Sequence, residues 1–109
     1  MKVVYDSGNN YWEAVIQLRP FDDEVFRFIQ NQVKKRKSVF ISRIFEVKGG
    51  VDIYLSSQRY ARSIAAKLKK FKGEVKVTHT LHTRDNMKSK DLYRATVLFR
   101  KHVDEESNE

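Results

Sequence analysis

A chain of 109 residues, 40% of them apolar, has room for one domain and one hydrophobic core, but not two. Cysteine is absent, which excludes disulfides, thiolate zinc sites and cysteine nucleophiles, and no apolar run approaches the roughly 20 residues of a membrane helix. Lys and Arg number 22 against 14 Asp and Glu; residues 34–102 hold 19 basic and 5 acidic side chains, and both flanking segments are net negative. So concentrated a positive field points to a polyanion, with nucleic-acid phosphate the commonest.

The segment 1–10, with Asp6-Ser7-Gly8-Asn9-Asn10, reads as a flexible lead-in to a single α/β domain over 11–102. Met1 to Asp6 is too short and polar for a secretory signal, and the lack of cysteine fits a reducing compartment, so a cytoplasmic location is expected. Tyr11 to Leu18 alternates: Trp12, Ala14, Ile16 and Leu18 share one face, with Glu13 and Gln17 on the other, as in a half-buried strand. Arg19-Pro20 breaks that strand. Asp22 then caps a helix with Asp23 and Glu24 in its first turn, a stripe of Phe21, Val25, Phe28, Ile29 and Val33, and Lys34 to Lys37 at its end.

Val39 to Val47 reads as a strand with Val39, Ile41, Phe45 and Val47 on one side, interrupted by Arg43, and with Phe40 and Ile44 on the other. Its buried face is left open by this pattern. Gly49-Gly50 joins it to a strand from Val51 to Leu55, which makes a β-hairpin. Ser56-Ser57 caps a second helix whose stripe is Ala61, Ile64, Ala65, Leu68 and Phe71, with Gly73 as its stop. Val75 to Leu81 alternates as a strand, Arg84 to Lys90 is a polar connection, and Leu92 to Arg100 is a last strand with Tyr93, Ala95, Val97 and Phe99 inward. The acidic tail 103–109 is expected to be disordered. The order β-α-β-β-α-β-β predicts an α+β, two-layer sandwich with both helices on one face of a mostly antiparallel sheet.

Nothing in this pattern supports catalysis. His79 and His82 lie three apart on a strand and point to opposite faces, so they cannot share a metal. No phosphate-cradling glycine loop, nucleophile elbow or HExxH segment occurs. No metal, cofactor, membrane or small-molecule substrate is expected. On the second helix, Arg59, Arg62, Lys67, Lys69 and Lys70 fall opposite the apolar stripe, and no acid occurs from Gln58 to Gly73 to neutralise them. These five cations, with Lys34 and Lys35 at the end of the first helix and Lys88 and Lys90 in the last connection, are the candidate phosphate-binding residues. Arg43 and Arg94 are candidates to reach the open sheet face, where Tyr54 and Tyr93 are candidates to stack on bases; for Tyr93 core packing is the stronger expectation. The signatures of sequence-specific RNA-reading sheets and of KH loops are missing.

The segment Val47-Lys48-Gly49-Gly50-Val51-Asp52-Ile53-Tyr54-Leu55-Ser56-Ser57, followed by Ala61-Arg62 and later by Tyr93-Arg94 ahead of Thr96-Val97, resembles the Nmd-three family of ribosomal large-subunit adaptor proteins, its archaeal relatives above all. The similarity runs from about Ile16 to Arg100. The resemblance implies binding to the large ribosomal subunit through rRNA and ribosomal proteins and, in eukaryotic members, a role in subunit export. The family's paired CxxC zinc domain, export segments and further C-terminal domain have no counterpart in this sequence, which reads as an excised middle domain or a shortened relative. The physical roles of the motif are modest: Gly49 and Gly50 for the turn, Asp52 for pairing with a cation or a backbone N–H, and Ser56 and Ser57 for the cap. The expectation is therefore a non-enzymatic RNA-binding module that meets rRNA of the large subunit. A module docking a ribosomal protein or assembly factor is the alternative.

Overall fold

The computed structural model describes residues 2–85 and 90–102, of which 80–85 and 90–92 are described by their backbone alone. Its elements are β1 (Lys2–Asp6), β2 (Ala14–Arg19), α1 (Asp23–Lys34), β3 (Ile41–Val47), β4 (Gly50–Leu55), α2 (Gln58–Leu68), β5 (Gly73–Asp85) and β6 (Lys90–Lys101). The strands form one sheet in the order β1-β3-β4-β2-β6-β5, antiparallel at every junction except β2 with β6. The two-layer α+β sandwich with two helices and a largely antiparallel sheet is thus present. Its sheet has six strands rather than five, because Lys2–Asp6, in the segment read as a lead-in, adds to the β3 edge.

The helices start where side chains satisfy their free N–H groups. Asp22 accepts from the Val25 N–H at 3.0 Å and Ser57 from the Tyr60 N–H at 3.1 Å. Phe21 stands just outside α1 and meets Phe26 at 5.4 Å between ring centroids, a hydrophobic staple rather than part of the helical stripe. Lys101, at the end of β6, pairs with the Asp22 carboxylate. That pairing, with the Val25 N–H, holds Asp22 below the ordinary carboxylate range. A depressed native value means the stabilisation is fully present above about pH 4 and is lost as pH falls through it. Asp22→Ala is therefore expected to cost about 1 kcal/mol or more at pH 7 and Asp22→Asn less, since Asn still caps. Urea titrations at pH 7 and pH 3 would show the difference shrinking in acid.

The core lies between the sheet and the helices. Ile16, Leu18, Ile53, Leu55, Val97 and Phe99 from the three central strands meet Val25, Ile29, Ile64 and Leu68, all essentially inaccessible. Each such side chain contributes about 1.5–3 kcal/mol by leaving water. α2 packs on β6, β2 and β5, and α1 lies beside α2. Phe28 of α1 meets Phe71 just past α2 at 5.2 Å, while Arg36 just past α1 lies over Tyr60 near the start of α2, so the helices run antiparallel. The buried Tyr60 hydroxyl donates to the Gln32 carbonyl at 2.5 Å, which satisfies one of the free carbonyls at the end of α1.

Four local readings change. Trp12 precedes β2, beyond a bend at Glu13, and lies on the face opposite Ala14 and Ile16, in contact with Tyr54. A register shift between Ile41 and Arg43 breaks the alternation of β3, so Ile41 and Ile44 pack toward the core while Arg43 and Phe45 take the other face. Gly73 starts β5 rather than ending α2; a Cβ there would lie 2.7 Å from the Arg100 carbonyl oxygen and from the Phe99 ring. The ends of the polar connection from Arg84 to Lys90 are strand, Arg84 pairing with Asp91 and Asp85 with Lys90, while 86–89 lie outside the described residues. β6 meets β2 only from Ala95 to Arg100, so its earlier residues and their β5 partners form a two-stranded ribbon beyond the main sheet.

Candidate functional site

The outer surface of α2 carries the cations that the helical spacing placed there. Arg59, Arg62, Lys67, Lys69 and Lys70 are all exposed. Each has a different degree of freedom. Lys67 turns toward α1 and donates to Gln32 Oε1 at 2.9 Å, and Lys70 lies 4.3 Å from the Phe28 ring centroid. Arg62 turns toward β5, donating to Gln58 Oε1 at 3.2 Å and lying 3.2 Å from His79 Nε2. Arg59 and Lys69 project to solvent. Among the described residues, the ion pairs are Arg19–Asp52, Arg27–Asp23 and Lys101–Asp22, and none draws on α2.

The acid that α2 lacks in its first turn comes from another element. Glu13 Oε1 accepts from the Gln58 N–H at 2.9 Å, which sets a carboxylate at the positive end of the helix dipole. The other Glu13 oxygen accepts from the Tyr11 hydroxyl, and that bond raises the phenol above its usual value near 10. Glu13 is thereby spent on architecture and leaves the α2 cations unneutralised.

The remaining candidates separate. Lys34 and Lys35 are exposed at the end of α1, but Lys34 lies with Arg36 and Lys37 along a trough between α1 and β1. Lys35 follows Phe28 and Gln32 at helical spacing, on the flank beside α2. Lys90 begins β6 and its side chain lies outside the described residues, as does Lys88 altogether. Tyr93 is not a core residue: it is 46% exposed, past the end of the helical cover. The trough is a hollow of about 630 Å³ lined by Val4, Phe26, Val33, Ile41 and Ile44 and continuous, through Val4, Phe26 and Ile44, with a second toward Phe21.

The sheet face away from the helices carries a cluster that alternation alone concealed. Trp12 and Phe45 each meet Tyr54 in T-shaped contact, at 4.8 and 5.5 Å. The Arg94 guanidinium lies 4.1 Å from the Trp12 ring centroid, and Arg43 donates to Asn10 Oδ1. Arg43, Arg94 and Tyr54 reach this face as expected; Phe45, whose face the pattern leaves open, joins Arg43 here, and Trp12 lies here rather than with Ala14 and Ile16. The signal that could have moved them is Arg43 itself, a cation interrupting an apolar side, which marks the strand irregularity. Next to the cluster, Asp52 takes the cation its position called for: Arg19 Nη2 donates to it at 2.6 Å, while Arg19 Nη1 donates to the Leu18 and Val51 carbonyls.

Among the described residues no group of three or more His, Asp or Glu side chains could hold a metal ion, and no helix is long and apolar enough to cross a membrane. Residues 11–100 match the family described as NMD3, second domain. No curated protein sequence matches the chain.

Proposed function

Because the chain belongs to the family of the NMD3 second domain, we propose that it is a non-enzymatic RNA-contact module of a ribosome-associated protein, holding phosphates of large-subunit rRNA with the cations of α2. One observation carries this reading: five exposed cations lie on α2 and the turn that ends it, a stretch with no acid of its own and no ion pair among the described residues. Like charges held together cost stability, and a bound polyanion relieves that cost. Contacts of this type position the protein on a duplex or folded RNA without reading its bases. Cross-linking the chain to purified large ribosomal subunits and mapping both partners tests it. Nucleotides attached to peptides 58–72 support the reading; cross-links to ribosomal proteins alone defeat it.

The trough favours a second contact, with a protein. It is apolar, rimmed by Lys34, Arg36 and Lys37, and bordered by the exposed Val4, features that suit a hydrophobic segment with acidic flanks. Val4 is 53% exposed, so Val4→Glu is expected to leave stability within about 0.5 kcal/mol. The same variant should abolish any nuclease-resistant association with large-subunit proteins while leaving RNA affinity unchanged. Filter binding beside a nuclease-treated pull-down separates the two effects.

A further inference from the structure

We propose that the open sheet face holds a second RNA site, a groove between Trp12, Tyr54 and Phe45 that takes one unpaired nucleobase while Arg43 and Arg94 engage the flanking phosphates. This inference rests on the RNA reading above and adds to it a preference for single-stranded segments.

The groove is lined by Trp12, Ser42, Arg43, Phe45 and Tyr54 and measures about 310 Å³. That is the lower end of the roughly 300–1,000 Å³ of ligand clefts, suited to one planar ring system and too small for a helix. Two of its rings stand nearly perpendicular to Tyr54, at 88° and 87°, which gives a stacking partner for a base entering from either side. The Trp12 ring already holds a guanidinium against it, so it is electronically suited to a cationic or planar neighbour.

Charge selects the occupant. The nearby acids are all engaged: Asp52 by Arg19, Glu13 by the Gln58 N–H and Tyr11, and Asp6 by the Gly8 N–H. Arg43 and Arg94 flank the groove; farther along the same face, Lys76 and Arg100 are exposed by register, with Glu74 opposite Arg100. Aromatic rings beside Arg43 and Arg94, with the acids next to the groove already hydrogen-bonded, match a single strand, whose bases are available for stacking and whose backbone is anionic. Burial and the Asp52 carboxylate also hold the Tyr54 phenol above its usual value near 10, so the ring stays neutral at physiological pH.

Trp12 is the one tryptophan of the chain, so its fluorescence reports on this groove. The full chain would be titrated with a labelled oligouridylate and, separately, with an RNA duplex of equal charge. Anisotropy of the RNA and Trp12 emission would be read together. The expected result is Trp12 quenching that saturates with oligouridylate binding and is absent with duplex. Tyr54→Leu should weaken oligouridylate binding at least about 5-fold, leaving duplex affinity unchanged. Equal anisotropy for both RNAs, with silent Trp12 and a neutral Tyr54→Leu, overturns the groove and leaves the α2 reading standing. Failure of both RNAs to bind overturns the two together. A Trp12 response to rRNA-free large-subunit proteins, with none to RNA, overturns the inference in favour of protein docking.

Discussion

The double variant Arg62→Glu/Lys69→Glu is expected to lose rRNA binding by about 100-fold or more at moderate salt. Both side chains are exposed, Arg62 on the β5 flank of α2 and Lys69 at its C-cap, and neither is tied to an acid among the described residues. Hydrogen bonds to a charged group contribute about 1.5–3 kcal/mol each, so two lost phosphate contacts amount to roughly 3 kcal/mol before the added repulsion. Salt gives an independent reading. If each of the five α2 cations releases one counterion, log affinity falls against log salt with a slope of about −3.5 to −4.5. A fourfold rise in salt then weakens the parent roughly 100- to 500-fold, and the variant's slope should be shallower by about two contacts. Exposed substitutions of this kind alter stability by within about 0.5 kcal/mol, so the variant should melt within a few degrees of the parent. An unchanged affinity with an unchanged salt slope would remove α2 from the interface.

Gly50→Ala is expected to be the most damaging single-methyl addition in the chain. Gly50 opens β4, and a Cβ there would lie 1.8 Å from the Leu18 carbonyl oxygen and 3.0 Å from its carbon. Both are backbone atoms of the neighbouring strand, so no side-chain rotation relieves the overlap. The β2–β4 ladder, in which Leu18 faces Val51, has to part locally. Overpacking costs about 1–3 kcal/mol where side chains can shift, and a backbone obstruction puts this case at about 3 kcal/mol or beyond. The melting temperature should fall by about 12 °C or more. Gly49 is a sharp control. It has φ of +89° but open space around its Cβ position, so Gly49→Ala meets only left-handed strain of about 1–2 kcal/mol. A Gly50→Ala chain as stable as Gly49→Ala would show that β4 does not approach β2 as closely as described.

The two glycines carry the family motif, and their physical roles differ in a way the motif does not reveal. Gly49 serves the turn, as its place between two strands suggests. Gly50 serves a neighbour that is distant in sequence. The same division holds for the caps: Ser57 acts locally on Tyr60, while Ser56 Oγ accepts from the Phe40 N–H at 2.9 Å and ties α2 to the residue before β3.

What the amino-acid sequence determined by itself depends on near neighbours. The two helices, their caps at Asp22 and Ser57, the Gly49-Gly50 hairpin and the placing of the α2 cations opposite the apolar stripe all follow from 3.6- and 2-residue periods and from short side chains bonding adjacent N–H groups. Tertiary structure decided the rest. It recruited Lys2–Asp6 as a sixth strand, because pairing at a sheet edge needs backbone groups rather than a side-chain pattern. It brought Glu13 to the α2 N-terminus and Lys101 to Asp22, contacts 45 and 79 residues apart along the chain. It also turned Trp12 and Phe45 to the open face, since a bend and a register shift each reverse strand parity without changing composition. The cationic face of α2 was therefore legible from one segment, whereas the aromatic groove, assembled from residues before β2 and on β3 and β4, exists only once the sheet has closed.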